Sequence, residues 1–184
     1  YLIEARLSPI AHRHGYPTTC ELIRSLQSLP KPDIQQQLVE AMTTNETSFF
    51  RDSHPFDALR TTILPELLRT RSTQRSLNIW SAACSTGQEA YSIAMLVREH
   101  FPELVRWKVQ ILGTDLSDDV LEKARAARFS QVEMNRGLPA TLLTKYFRRE
   151  GMNWELASEL RSMASFCKLN LIERWPTIPQ MDVV

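Results

Sequence analysis

The chain has 184 residues and a mass of 21.2 kDa, enough for one sizeable core or for a small helical module joined to part of a larger domain. Hydrophobic residues make up 43% and charged residues 23%, so folding can bury enough apolar surface to offset chain entropy, which excludes an extended disordered protein. With 22 basic against 21 acidic residues the net charge is +1, and no strong field draws the chain to nucleic acid or to an anionic bilayer.

Residues 1 to about 75 read as helical, because apolar positions recur at threes and fours without alternation. A first helix carries Leu2, Ile3 and Ile10 and stops at Gly15-Tyr16-Pro17; Thr18 or Thr19 caps a second through Leu22, Ile23 and Leu26. After Pro30-Lys31-Pro32 a third is expected from an Asp33 N-cap through Ile34, Leu38 and Met42. Phe56, Leu59, Ile63 and Leu67 continue the helical spacing, with Pro65 kinking or restarting that helix.

From Ser76 the period changes. Leu77 to Ala82 reads as a strand, Gly87 to His100 as a helix, Lys108 to Thr114 as a strand and Leu116 to Ala126 as a helix, which together make a parallel α/β unit. Residues 128 to 170 fit this scheme poorly. Ala140 to Phe147 looks helical, while Trp154 to Leu156 and Met163 to Leu169 look like two short strands of a hairpin-like insert. Both chain ends read as cut, since the chain opens inside a helix and closes on Met181-Asp182-Val183-Val184, an apolar run that suggests the opening of a buried strand.

Cys20, Cys84 and Cys167 are odd in number and far apart, which suggests a reduced compartment, no disulfide framework and no metal. The longest apolar stretches fall well short of the roughly 20 residues a membrane span needs, and Tyr1-Leu2-Ile3-Glu4 lacks the regions of a signal peptide. A cytoplasmic protein with no membrane insertion is expected.

The stretch Asn78-Ile79-Trp80-Ser81-Ala82-Ala83-Cys84-Ser85-Thr86-Gly87-Gln88-Glu89 carries the most chemistry. A strand running through small residues into a helix N-terminus lets a ligand approach the backbone at the carboxyl edge of a parallel sheet. It is neither a P-loop nor the three-glycine dinucleotide fingerprint, and a plain strand-to-helix turn would look the same. Asp115 ends the second strand, where its carboxylate either accepts the two hydroxyls of a ribose or caps the helix that follows. The first loop holds no Lys or Arg for a pyrophosphate, so an adenosine without phosphate and with a charged tail is indicated, as in S-adenosylmethionine. A third stretch, Thr43-Thr44-Asn45-Glu46-Thr47-Ser48-Phe49-Phe50-Arg51-Asp52, is unusual for a helical segment because Asn and Thr divert backbone hydrogen bonds locally.

These motifs, followed by Leu169-Asn170-Leu171, closely resemble the CheR family of chemotaxis-receptor glutamate O-methyltransferases. The resemblance covers nearly the whole chain. It implies an N-terminal all-helical domain over residues 1–75. A Rossmann-like S-adenosylmethionine-dependent methyltransferase domain follows over 76–184, with a small antiparallel β-subdomain inserted at about 128–168. It implies a chemotaxis signalling enzyme that methyl-esterifies receptor glutamates, taking S-adenosyl-L-methionine and leaving S-adenosyl-L-homocysteine. It places Asn45, Thr47 and Arg51 on the helical side of the cofactor, Glu89 and Asp115 on the α/β side, and Asn170 with Leu171 near the adenine. Physical roles follow: Arg51 for the methionyl carboxylate, Asp115 for the ribose diol and Glu89 for the positive charge of the amino acid end.

No catalytic side chain is assigned, because a glutamate is already an anion at neutral pH. Arg69 or Arg71 could position it, although an exposed basic helix end explains both. The implied partner is the cytoplasmic helical domain of a chemoreceptor, met by a monomer. Arg6, His12, Arg13 and His14 would offer it a basic face, or simply a solvated one. Some family members grip a receptor C-terminal pentapeptide through the β-subdomain; here Glu150, Glu155 and Glu159 make that ribbon acidic, and the pentapeptide is not expected to be required. Competing readings are a cofactor-binding scaffold without turnover and a methyltransferase acting on another substrate.

Overall fold

The computed structural model describes residues 2–184. Up to Thr70 its regular structure is helical: α1 (Leu2–Arg13), α2 (Thr19–Ser28), α3 (Pro32–Met42), α4 (Ser53–Ala58) and α5 (Leu64–Thr70). The chain divides into two compact units, one ending at Thr44 and one spanning Asn45–Val184.

In the first unit Leu7, Ile10 and Ala11 of α1 pack with Leu22, Leu26 and Ile34, the apolar face that the helical spacing set apart. Thr18 caps α2 by accepting from the Glu21 N–H. Asp33 does not cap α3. Pro32 starts that helix with its fixed φ, Lys31 occupies the N-cap position, and Asp33 falls in the first turn, where its charge meets the positive end of the helix dipole. The Arg6 guanidinium donates to the Met42 and Thr43 carbonyls at 3.1 and 3.3 Å. It thereby satisfies carbonyl groups that the end of α3 leaves open.

The second unit begins with the segment 45–52, which precedes α4. A π-helical turn at Leu59–Ile63 joins α4 to α5, and Pro65 lies in the first turn of α5, where a missing N–H is harmless. The turn after α5 leads into β1 (Ser76–Ala82), α6 (Gln88–His100), β2 (Lys108–Asp115) and α7 (Asp118–Ala126). Strand β1 pairs parallel with β2 from Ser76↔Lys108 to Ala82↔Thr114. β3 (Arg128–Ser130), the short helices α8 (Gln131–Met134) and α9 (Ala140–Tyr146), β4 (Phe147–Glu150), β5 (Asn153–Leu156), the short helix α10 (Ser158–Arg161) and β6 (Ala164–Lys168) complete the chain.

Here the structure differs from the sequence-based expectation. Met163–Leu169 does not form a hairpin with residues 154–156. Strand β6 instead pairs parallel with β2, Gly113 lying opposite Phe166, while β5 pairs antiparallel with both β3 and β4. Gly113 makes that neighbour feasible, since a Cβ there would stand 2.5 Å from the Phe166 ring. Val183 forms a parallel bridge to Ile79 on the far side of β1, so the apolar run at the end of the chain does approach the sheet. The parallel sheet therefore runs Val183, β1, β2, β6, and its core is filled by Leu77, Ile79, Ile111 and the buried face of α6.

Candidate functional site

All seven residues expected at the cofactor lie in the second unit. Asp115 and Glu89 follow from the α/β framework. β2 ends on Asp115, a residue only 8% exposed; its Oδ2 accepts the Ser85 N–H at 2.8 Å and its Oδ1 the Ser117 N–H at 3.1 Å. The capping alternative raised by the sequence is therefore divided between two residues: Asp115 braces the turn, while Ser117 is the N-cap of α7 through Val120. A carboxylate has about four lone-pair sites, so two backbone bonds leave acceptor capacity. Glu89, in the first turn of α6, is exposed, and its Oε1 accepts the Ser81 hydroxyl at 2.6 Å. The start of α6 favours this negative charge through the helix dipole.

Between them the loop over 83–87 is strained. Ala83 and Ser85 sit at φ 55 and 49, ahead of Gly87 at φ 88. Among the described residues six non-glycine positions have positive φ, and Phe50, Asp52, Ala83 and Ser85 put four of them in the two motif segments. Such backbone persists only where surrounding contacts over-determine it. At 83–87 those contacts include the Cys84 N–H to the Thr114 carbonyl at 2.9 Å and the close packing of Gly87, where a Cβ would lie 3.0 Å from Ala124. Burial, and next the charge of Asp115, pushes the Cys84 thiol up to about 12, so it stays protonated and unreactive at neutral pH.

The segment 45–52 is fastened to this loop. The Ser85 hydroxyl donates to the Asn45 carbonyl at 3.0 Å, and the Phe50 N–H donates to Ser92 Oγ of α6 at 3.0 Å. Phe49 is fully buried, with ring centroids 5.0 Å from Phe129 and 5.7 Å from Phe147 in edge-to-face contacts. Gly137 closes on it so tightly that a Cβ would stand 2.0 Å from the Phe49 carbonyl oxygen. Arg51 is exposed and donates to the Glu46 carbonyl at 2.7 Å, while the Glu46 carboxylate pairs with Arg136 at 2.9 Å. Thr47 is half-buried.

Asn170 and Leu171 follow the carboxyl end of β6, where the Leu169 N–H donates to the Asp115 carbonyl at 2.9 Å. Asn170 holds its own turn: its Nδ2 donates to Glu173 at 2.9 Å and its Oδ1 accepts the Ile172 N–H at 3.2 Å. Leu171 is 45% exposed. The structure thus ties Asn45 and Asp115 to one loop residue, Ser85, leaves Asn170 one residue beyond the Leu169 N–H that meets the Asp115 carbonyl, and sets Glu89 one turn before the Ser92 that anchors Phe50. It does not tie Arg51 or Thr47 directly to that loop. Arg69 and Arg71, considered as substrate-positioning cations, have acidic partners: Glu66 for Arg69 at 2.6 Å, and Asp182 for Arg71 at 2.5 Å. Sequence reading passed over Ser85, whose signal would have been a small hydroxyl between two conformationally demanding positions in a strand-to-helix loop.

Residues 45–184 match the family described as CheR methyltransferase, SAM binding domain. The chain belongs to this family. The match begins at the residue where the second compact unit begins. The whole chain is 38% identical to chemotaxis protein methyltransferase 1 of Pseudomonas aeruginosa and 35% identical to chemotaxis protein methyltransferase Cher2 of Pseudomonas putida, covering 68% of each. It is 33% identical to chemotaxis protein methyltransferase 1 of Vibrio cholerae over 67% of that protein. The chain is accordingly an S-adenosylmethionine-dependent methyltransferase built on a Rossmann-like α/β sheet. Its residues fit that cofactor: an exposed guanidinium at Arg51, an exposed carboxylate at Glu89, acceptor capacity at Asp115, and a loop over 83–87 with no cation suited to a phosphate. A cavity of about 330 Å³ lies beside Glu89, otherwise lined by apolar side chains that include Phe56, Leu59, Trp80 and Ile93.

Proposed function

We infer that this chain methyl-esterifies glutamate side chains of chemoreceptors during chemotactic adaptation. The observation that carries this reading is the coincidence of the family match with the unit that holds the Asp115, Glu89 and Arg51 groups. Relatives named as chemotaxis protein methyltransferases support the choice of substrate.

In this reading Arg51 pairs with the methionyl carboxylate and Glu89 with the ammonium at the same end, each a charge-assisted contact. Asp115 accepts from the ribose hydroxyls with the lone pairs its two backbone bonds leave over. Asn45 and Thr47 border the cofactor from the 45–52 segment, and Asn170 with Leu171 borders the adenine. Bound S-adenosylmethionine supplies an electrophilic methyl group. The receptor glutamate, with a reference pKa of about 4.3, is already an anion and needs no general base. What the chain adds is alignment and dryness. The apolar walls beside Glu89 strip water from an approaching carboxylate, and the rigid loop fixes where the methyl group is presented.

The domain plan belongs to the same proposal. Residues through about 75, where regular structure is only helical, form the N-terminal domain, and the antiparallel sheet between α7 and β6 is the inserted β-subdomain. That ribbon is short, and its Glu155 is held by Arg128 and Arg161, which supports docking without the receptor pentapeptide. Among the described residues no helix is long and apolar enough to cross a membrane. A monomer that reaches receptors from the cytoplasm is part of the same proposal.

The test is methyl transfer. Incubating the protein with receptor-containing membranes and tritiated S-adenosylmethionine should label the receptor band, and mild base should release the label as methanol. An unlabelled receptor band, with S-adenosylhomocysteine binding confirmed, would instead favour a scaffold or another substrate.

A further inference from the structure

We propose that Ser85 is the positioning residue that sets the two flanks of the cofactor site relative to one another. This rests on the reading that Asn45 and Asp115 both border the cofactor. Ser85 is 6% exposed and uses two different groups: its hydroxyl donates to the Asn45 carbonyl at 3.0 Å, and its N–H donates to Asp115 Oδ2 at 2.8 Å. One residue therefore touches the segment that presents Asn45 and the carboxylate at the end of β2.

The geometry at the other end of that segment makes the role specific. Phe50 is pinned to α6 by its N–H on Ser92 Oγ, and Ser92 in turn donates to the Gln88 carbonyl at 2.7 Å. Phe49 is fixed by its aromatic neighbours. The Ser85 hydroxyl fixes the opposite end, at Asn45, so the segment is held by two serines that flank the start of the same helix, Gln88 of α6. Ser85 also sits at φ 49, a conformation that costs a non-glycine residue energy. Glycine would relieve that strain and keep the N–H bond to Asp115, so stability alone does not call for a serine here. What glycine lacks is the hydroxyl to Asn45.

The experiment compares Ser85→Gly and Ser85→Ala, each alone and combined with Asn45→Ala, by calorimetric titration with S-adenosylhomocysteine and by thermal melts. Ser85→Gly should weaken binding about tenfold, the scale of one well-placed hydrogen bond, with a Tm at or above that of the parent. Ser85→Ala should weaken it similarly. Asn45→Ala keeps the backbone carbonyl that the hydroxyl meets but removes the side chain presented by it, so in that background the Ser85→Gly loss should shrink to less than about threefold. Unchanged affinity in Ser85→Gly, an equal loss in both backgrounds, or a loss that comes only with a lowered Tm in both variants would each overturn the role. Unchanged affinity in Asn45→Ala alone would overturn the reading of the site, and the inference with it.

Discussion

The segment 45–52 and the turn over 170–175 are both expected at the cofactor, yet they are held in opposite ways. The first is anchored to other elements through Ser85, Ser92, Phe129, Phe147, Gly137 and Arg136. The second is held largely by itself: Asn170 to Glu173 and Ile172, and Trp175 to the Leu171 carbonyl, with the Trp175 ring against Trp80 as its outward contact. A segment tied into the core is preorganised and loses little entropy on binding, whereas an exposed turn must be ordered by the ligand. Substitutions that crowd the first or strip its buried partners should therefore cost stability and affinity together, whereas Ser85→Gly, which relieves its own backbone strain, should cost affinity alone. Substitutions in the second should cost affinity alone.

The largest effect is expected at Gly137. Gly137→Ala forces a Cβ to within 2.0 Å of the Phe49 carbonyl and adds strain at φ 86, so urea unfolding should show a loss above about 1 kcal/mol along with weaker S-adenosylhomocysteine binding. Gly151→Ala is the control, since it has positive φ but open space around it, and it should leave affinity intact. Next comes Asp115→Ala, which leaves the buried Ser85 and Ser117 N–H groups without their acceptor and should cost about 1–3 kcal/mol by the same measurement. Asn170→Ala should change stability by less than about 0.5 kcal/mol while still weakening the cofactor several-fold. If it destabilised the fold as Asp115→Ala does, the contrast between the two segments would fail. Smallest is the response of the cysteines: iodoacetamide should label exposed Cys20 in the native protein and spare Cys84, whose thiol is buried and protonated, until the protein unfolds.

The parallel α/β framework was legible because local pattern decides it: the change of period at Ser76, the small residues after β1 and an acid at the end of β2 all act within a few residues. Partners distant in sequence were not. The run at 163–169 identifies a strand but not its neighbour: β6 pairs with β2, where Gly113 leaves room for the Phe166 ring opposite it. Asp33 looked like an N-cap by residue type, yet Pro32 had already begun the helix. The Arg6 hydrogen bonds were not legible because the carbonyls it meets lie more than thirty-five residues away. Ser85 is inconspicuous for the same reason, its importance residing in Asn45 and Asp115 rather than in its own neighbours.

Titration of the purified protein with S-adenosylhomocysteine, beside Arg51→Ala and Asp115→Asn, addresses the cofactor site most directly. The account predicts that each variant binds at least about tenfold more weakly, as expected when a charge-assisted contact to the ligand is lost. Parental affinity in both would contradict it.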